Sequence, residues 1–292
     1  MGTPTPHSGF ITTPGGARLR YTQEGPSSAP NLLLIPGWAQ TAAQFKKQVD
    51  HFSANFRVTT YDHRGQGESD KPAFGYRIYR LAADLEALLT QLDLRDVIML
   101  GHSMGCSVIW AYWDIFPHDR ISKLVLVDQA PILTANPAWS AEEAAGYAAI
   151  FSPAAVFEFT NSLAGPDGKA ACAALVKSFF TAQVDPTDLD WMLERTLKMP
   201  LAAAAQLFIN HAGMDWRDVI PRIDVPTLVV AAEGSLLPTK GLAWIAQKIP
   251  GAKVEVFKKE DGGSHFMLWE NANEFNKRVA AFLTDEGTEE SR

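Results

Sequence analysis

Cysteine is scarce in this 292-residue chain: only Cys106 and Cys172 occur, and their spacing fits neither a disulfide framework nor a zinc site. Both are read as buried, reduced thiols. No run of Lys or Arg stands out, and a net charge of -7 speaks against nucleic acid as a partner. No clustered His/Asp set offers metal ligands, so neither a metal nor a cofactor is expected. Met1 to Phe10 is polar and contains proline, without the apolar centre of a secretory leader. No later stretch approaches the ~20 apolar residues of a membrane span. The expectation is therefore a cytoplasmic protein with no membrane partner. Repeats and low-complexity tracts are missing as well. Nothing fixes the oligomeric state; a homodimer is one option.

What is present is an ordinary globular composition, 47% hydrophobic, at a length that allows one large α/β domain or a domain with an insertion. Phe10 to about Tyr21 reads as a hairpin turning at Pro14-Gly15-Gly16. Short apolar runs at Asn31–Ile35, Phe56–Tyr61, Val97–Leu100, Lys123–Val127, Thr227–Ala231 and Val254–Phe257 read as strands. Helical patterns lie between them, near Ala42–Phe52, Arg80–Leu92, Leu242–Gln247 and Asn273–Leu283. Such alternation implies right-handed crossovers and a mostly parallel sheet covered on both faces.

Two stretches break the rhythm. The first is Gly101-His102-Ser103-Met104-Gly105, set between a buried strand and the helical run Cys106–Trp113. A serine flanked by glycines at a strand-to-helix junction is the pattern of a nucleophile elbow, whose tight turn exposes the hydroxyl above the sheet edge. The second is the interval 131–215, which is helical throughout and rich in aromatics. Each of those aromatics alone reads as core filler. Together, beside the elbow, they read as a cap over an apolar pocket, with Trp139, Phe151, Phe179, Trp191 and His211 expected to line it. The division expected is thus a core of 1–130 and 216–285, a cap of 131–215 and a flexible tail of 286–292.

With these motifs the chain resembles the α/β-hydrolase fold family from Phe10 to Leu283. The resemblance is carried by Pro36-Gly37-Trp38, Tyr61-Asp62-His63-Arg64-Gly65-Gln66-Gly67-Glu68-Ser69, the elbow, Leu126-Val127-Asp128-Gln129 and Gly262-Gly263-Ser264-His265-Phe266. It implies an eight-stranded, mostly parallel sheet with helices on both faces and a helical cap inserted after the sixth strand. Such folds host many chemistries, so the substrate is not implied.

A serine hydroxyl needs a base at neutral pH. Of seven histidines, His7 falls in an expected disordered end, while His51 and His118 sit in polar helix-end contexts. His63 lies in a glycine-rich turn, His102 points away from Ser103, and His211 belongs to the cap. His265 follows the last strand in a Gly-Gly-Ser turn, where the resemblance places the base. In most relatives the acid follows the seventh strand, yet here Gly234 stands where aspartate is expected. The other family position, at the end of the sixth strand, holds Asp128, with Glu233 as the alternative acid. The backbone N–H groups of Met104, at a helix N-terminus, and Trp38, after the third strand, would form the oxyanion hole.

The function expected is a serine hydrolase acting on a small apolar ester or lactone, its only partner. A cofactor-free dioxygenase of the 3-hydroxy-4-quinolone type, which the Pro-Gly-Trp turn also resembles, is the alternative. A haloperoxidase or perhydrolase branch using the same triad is a further one, and a hormone-like receptor that has kept the pocket another. Dehalogenase and epoxide-hydrolase chemistry needs a carboxylate where Ser103 stands.

Overall fold

The computed structural model describes residues 6–285. The segment 286–292, read above as a flexible tail, lies outside the described residues. Eight strands form one sheet: β1 (His7–Thr12), β2 (Arg18–Glu24), β3 (Asn31–Ile35), β4 (Arg57–Tyr61), β5 (Val97–His102), β6 (Ile121–Val127), β7 (Thr227–Ala232) and β8 (Lys253–Phe257). Their order is β1-β2-β4-β3-β5-β6-β7-β8. Only the pairings of β2, with β1 and with β4, are antiparallel. His7, expected in a disordered end, instead opens β1 with its Nε2 3.1 Å from the Tyr21 hydroxyl. Composition near the terminus hid that cross-strand partner.

The near-continuous apolar strands follow from burial on both faces. Successive side chains of a strand point to opposite sides. Leu33, Ile35, Met99, Leu124, Leu126 and Val229 accordingly enter one core, and Leu32, Leu34, Ile98, Leu100, Val125 and Leu228 the other. The second core is closed by α1 (Lys46–Phe52), through Val49 and Phe52, and by the last helix through Phe275, Val279 and Phe282. The first is closed by α2 (Ile78–Gln91) and α3 (Met104–Ile115), through Leu81, Leu85 and Ile109. The turn after β4 is tied to α2 by Arg64, which donates from Nε and Nη2 to the two carboxylate oxygens of Asp84, both at 2.6 Å and both residues buried.

Between β6 and β7 the chain makes α4 (Ala141–Gly146), α5 (Pro153–Ala164), α6 (Gly168–Lys177), α7 (Pro186–Thr196) and α8 (Leu201–Ala212). The starts of three of them are written locally. Ser140 and Glu143 form a reciprocal capping box on α4, while Ser152 and Asp185 cap α5 and α7, each followed by proline at the first helical position. The segment closes on itself where it leaves the sheet: Ile132 bridges Asp215, and the Trp216 N–H donates to the Pro131 carbonyl at 2.9 Å. Val156, Leu163 and Leu207 share one apolar cluster with the sheet. The helices are therefore packed down as well as covalently joined. After β7 come α9 (Thr239–Lys248), α10 (Met267–Glu270) and α11 (Ala272–Thr284).

Candidate active site

Ser103 joins β5 to α3 with φ 54° and ψ -126°, a conformation that costs a non-glycine residue ~1–3 kcal/mol. Its neighbours make the turn sterically feasible. A Cβ on Gly101 would lie 2.8 Å from the Cys106 amide nitrogen, and one on Gly105 would lie 2.3 Å from the Ile35 carbonyl oxygen. Glycine at 105 lets the start of α3 press against the end of β3. The strained residue is held from both sides, its N–H donating to the Val127 carbonyl and its own carbonyl accepting from the Cys106 N–H, each at 2.8 Å.

Asp128 stands just beyond β6, also with positive φ (49°), its N–H donating to the Val230 carbonyl at 2.9 Å. That twist at the end of a parallel strand sends its carboxylate towards the loop after β8. There His265 Nδ1 lies 2.6 Å from Asp128 Oδ2, with Asp128 wholly buried and His265 5% exposed. A second donor reaches the same oxygen, the hydroxyl of Ser235 in the loop after β7. Glu233 is exposed, and only its backbone is engaged, donating to the Phe257 carbonyl at 2.9 Å. Sequence reasoning missed Ser235. Its only signal was position, three residues beyond a buried strand end.

The histidine loop is fixed by a device that was also unforeseen. His102 Nε2 lies 2.8 Å from the His265 carbonyl oxygen. A carbonyl only accepts, so the proton of His102 sits on Nε2, leaving Nδ1 to accept from Gln44 Nε2 at 3.4 Å. Burial, then the neighbouring His265, holds the His102 imidazole well below its ordinary pKa, so it is neutral. The Phe179 ring covers His265 from the helical side, centroids 4.7 Å apart.

On the opposite side of Ser103, a Cβ on Gly37 would stand 3.2 Å from the Ser103 Cβ, so the Pro36-Gly37-Trp38 turn hugs the elbow. Among the described residues, the backbone N–H groups of Trp38 and Met104 have no acceptor. Trp38 is pinned by its side chain: the indole N–H donates to the Ala204 carbonyl at 2.9 Å, and Phe208 meets the ring edge-on at 5.3 Å.

Ser103, His265, Trp38, Phe151, Phe179 and His211 share the wall of one cavity of about 50 Å³. Trp139 and Trp191 do not, which corrects the expectation for both. Trp139 packs on Tyr147 with the Arg217 guanidinium 5.0 Å over its ring. Trp191 stacks on Trp269 at 5.0 Å and carries Arg195 at 3.7 Å, beside a separate cleft. Both are half-exposed rings with cationic partners, an arrangement that composition alone cannot tell from a pocket wall. The face of α8 supplies what they do not: Phe208 and His211, three residues apart, both reach the cavity. His211 is 4% exposed, and burial together with nearby His265 lowers its pKa to about 3.

A strained serine between β5 and α3, a buried Asp–His pair at the ends of β6 and β8, and a helical segment roofing them define an α/β hydrolase. The chain belongs to that family, whose model for the alpha/beta hydrolase fold matches residues 30–272. It is similar to a non-heme chloroperoxidase of Burkholderia pyrrocinia, with 25% identity over 94% of this chain and 99% of that one. Among solved structures it resembles the bromoperoxidase from Bacillus anthracis, at 25% identity and a TM-score of 0.86, covering 96% of this chain and 100% of that one. It also resembles the enol-lactonase from Burkholderia xenovorans LB400, at 27% identity and a TM-score of 0.81, covering 94% and 100%. No helix among the described residues is long and apolar enough to cross a membrane.

Proposed function

We propose that the protein is a serine hydrolase that cleaves a carboxylic ester or lactone of an apolar small molecule through an acyl-enzyme. The observation that carries this reading is the 2.6 Å contact of Asp128 with His265, formed beside a serine on a strained strand-to-helix turn. In this reading His265 Nε2, left free by the bond at Nδ1, takes the Ser103 proton as Oγ attacks the substrate carbonyl. The N–H groups of Met104 and Trp38 receive the oxyanion, each worth on the order of 3 kcal/mol in such a site. Collapse breaks the acyl–oxygen bond, and His265 returns the proton to the departing alkoxide. Water, deprotonated by His265, then splits the acyl-enzyme to the free acid and Ser103. Asp128 holds the imidazole in the required tautomer and stabilises the imidazolium. In a lactone, acid and alcohol remain one molecule, which suits a cavity roofed by the inserted helices.

A second reading is supported by the names of the relatives, chloroperoxidase and bromoperoxidase. Peroxide in place of water would release a peracid from the same acyl-enzyme. The dioxygenase alternative has no counterpart among the relatives named above.

The test is labelling with a serine-reactive fluorophosphonate, followed by turnover of aryl esters and lactones with and without peroxide. The wild-type protein should be labelled, and Ser103→Ala should fold, escape labelling and lose at least about 10³-fold in turnover. Turnover mostly retained in Ser103→Ala would overturn the proposal, and oxygen consumption would then point to the dioxygenase.

A further inference from the structure

The helical roof and the loop after β8 are joined through one carboxylate. Glu270, the last residue of α10, accepts at Oε1 from the Thr181 hydroxyl at 2.5 Å and at Oε2 from the Thr181 N–H at 3.0 Å. The same Oε2 accepts the proton of the Ser264 hydroxyl. Ser264 is fully buried and directly precedes His265, while Thr181 follows Phe179 by two residues in the connection between α6 and α7. The two segments that Glu270 joins therefore carry the base and the ring that covers it. Apolar contacts run alongside. Val176, Phe180 and Met192 meet Phe266 and Trp269 in a cluster apart from the two cores on the sheet, with Phe179 packed against it. The Phe180 and Phe266 rings stack at 4.5 Å, and the Phe266 N–H donates to the Phe179 carbonyl at 3.3 Å.

Stacked rings can slide past one another, whereas hydrogen bonds to an ionised acceptor are strong and directional. Thr181 is gripped by both its backbone and its side chain, so its orientation is fixed as well as its distance. Phe179, two residues away, is the ring that lines the cavity beside His265. We infer that Glu270 is a positioning residue for substrate size: by holding Thr181 and Ser264 at once, it sets how far the Phe179 ring stands from His265 and how long a guest the cavity admits. The identity of that guest as an ester rests on the hydrolase reading above. The role needs both carboxylate oxygens as acceptors. An amide at this position keeps one acceptor and turns two N–H donors towards groups that themselves donate, so it loosens the grip without changing the size of the side chain.

The experiment uses the Ser103→Ala protein, which binds esters without cleaving them, and calorimetric Kd values for phenyl acetate, phenyl hexanoate and 4-hexylphenyl acetate. The last two extend the parent at its acyl and its alcohol end. Adding Glu270→Gln, or separately Thr181→Val, should shift the Kd ratio to the parent by about fivefold or more in favour of at least one extended ester. Thr181→Ser, which keeps the hydroxyl, should stay within about twofold of the unaltered ratio. Glu270→Gln with Thr181→Val should shift it by less than the product of the single shifts, because both remove one contact. A role confined to stability would lower the melting temperature and leave the ratio intact. The inference is overturned if both folded single variants keep the ratio, if Thr181→Ser moves it as far as Thr181→Val, if the single shifts multiply in full, or if no ester binds. Fluorophosphonate labelling of wild-type Ser103 is read separately. A labelled serine with an unmoved ratio rejects the positioning role alone; a shifted ratio beside an unlabelled serine rejects the hydrolase and leaves the role of Glu270.

Discussion

At the scale of single residues, the choice of acid is the sharpest test. Asp128→Asn should lower kcat by about 10⁴, because an amide supports the wrong imidazole tautomer and offers no charge to the imidazolium. Glu233→Gln should stay within about tenfold of wild type, since that exposed side chain bonds to neither Asp128 nor His265. Steady-state kinetics beside thermal melts decide it, and a dead Glu233→Gln with an active Asp128→Asn would reassign the acid. Ser235→Ala should reduce kcat by about tenfold and leave KM nearly unchanged, because its hydroxyl orients the carboxylate without lining the catalytic contact. An altered KM at constant kcat would show that Ser235 acts on binding instead. These residues differ in how they could be read beforehand. Ser103 is announced by its flanking glycines, which the close approach of Ile35 and Cys106 demands. His265 and Asp128 were legible only through the order of strands and the family likeness. Ser235 and His102 carry no sequence signal, because their work is a hydrogen bond across loops 107 and 163 residues apart in the chain.

At the scale of elements, the five central strands, β3 to β7, were legible because a strand buried on both faces is a short apolar run bounded by turn residues, whereas the opening hairpin was legible through its Pro-Gly-Gly turn. The orientation of the helices over the elbow was not. Which face of an amphipathic cap helix looks inward depends on what it packs against, and aromatic rings occupy both faces here. This yields an element-level prediction. Phe179→Ala, on the His265 side of the cavity, should change the ranking of ester substrates by tenfold or more, whereas Trp139→Ala should shift only the melting temperature. Equal effects on ranking would return Trp139 to the pocket. The buried Arg64–Asp84 pair bears on the fold in another way. Asp84→Asn strands a guanidinium with no exposure, and such losses cost ~3–5 kcal/mol. Chemical denaturation should show a deficit of that order, and one below about 1 kcal/mol would mean that water reaches Arg64.

At the scale of the whole molecule, buried histidines set the response to acid. Burial lowers the pKa of His63 to about 4 and of His211 to about 3, and holds His102 well below 6.5. A histidine with a depressed folded-state pKa binds its proton in the unfolded chain first. Its contribution is intact above pH 6.5 and falls as pH drops towards the folded value. Three such groups imply a slope approaching ~4 kcal/mol per pH unit below about pH 6. Asp62 and Asp84, whose pKa values burial raises, act in the opposite sense and moderate the loss at lower pH. Urea unfolding at pH 7, 6 and 5 should show the decline, and His63→Gln should make it shallower by about a third; a flat profile would reject it.

The cavity beside Ser103 has a consequence of a different kind. A space of about 50 Å³ holds a few water molecules and no ester of useful size. The resting protein is therefore not a mould of its substrate. For a guest larger than that space, rings such as Phe151 and Phe179 on its wall would have to swing aside, and the vacated shape would then be the guest's own. How far each ring yields would then set which guests enter, which is why Phe179 is expected to weigh on the ranking of substrates. The reacting group would meet what does not yield: the strained turn at Ser103 and the His265 imidazole held by Asp128. A yielding wall around a rigid turn would then divide the work, the rings choosing the guest and the turn the bond.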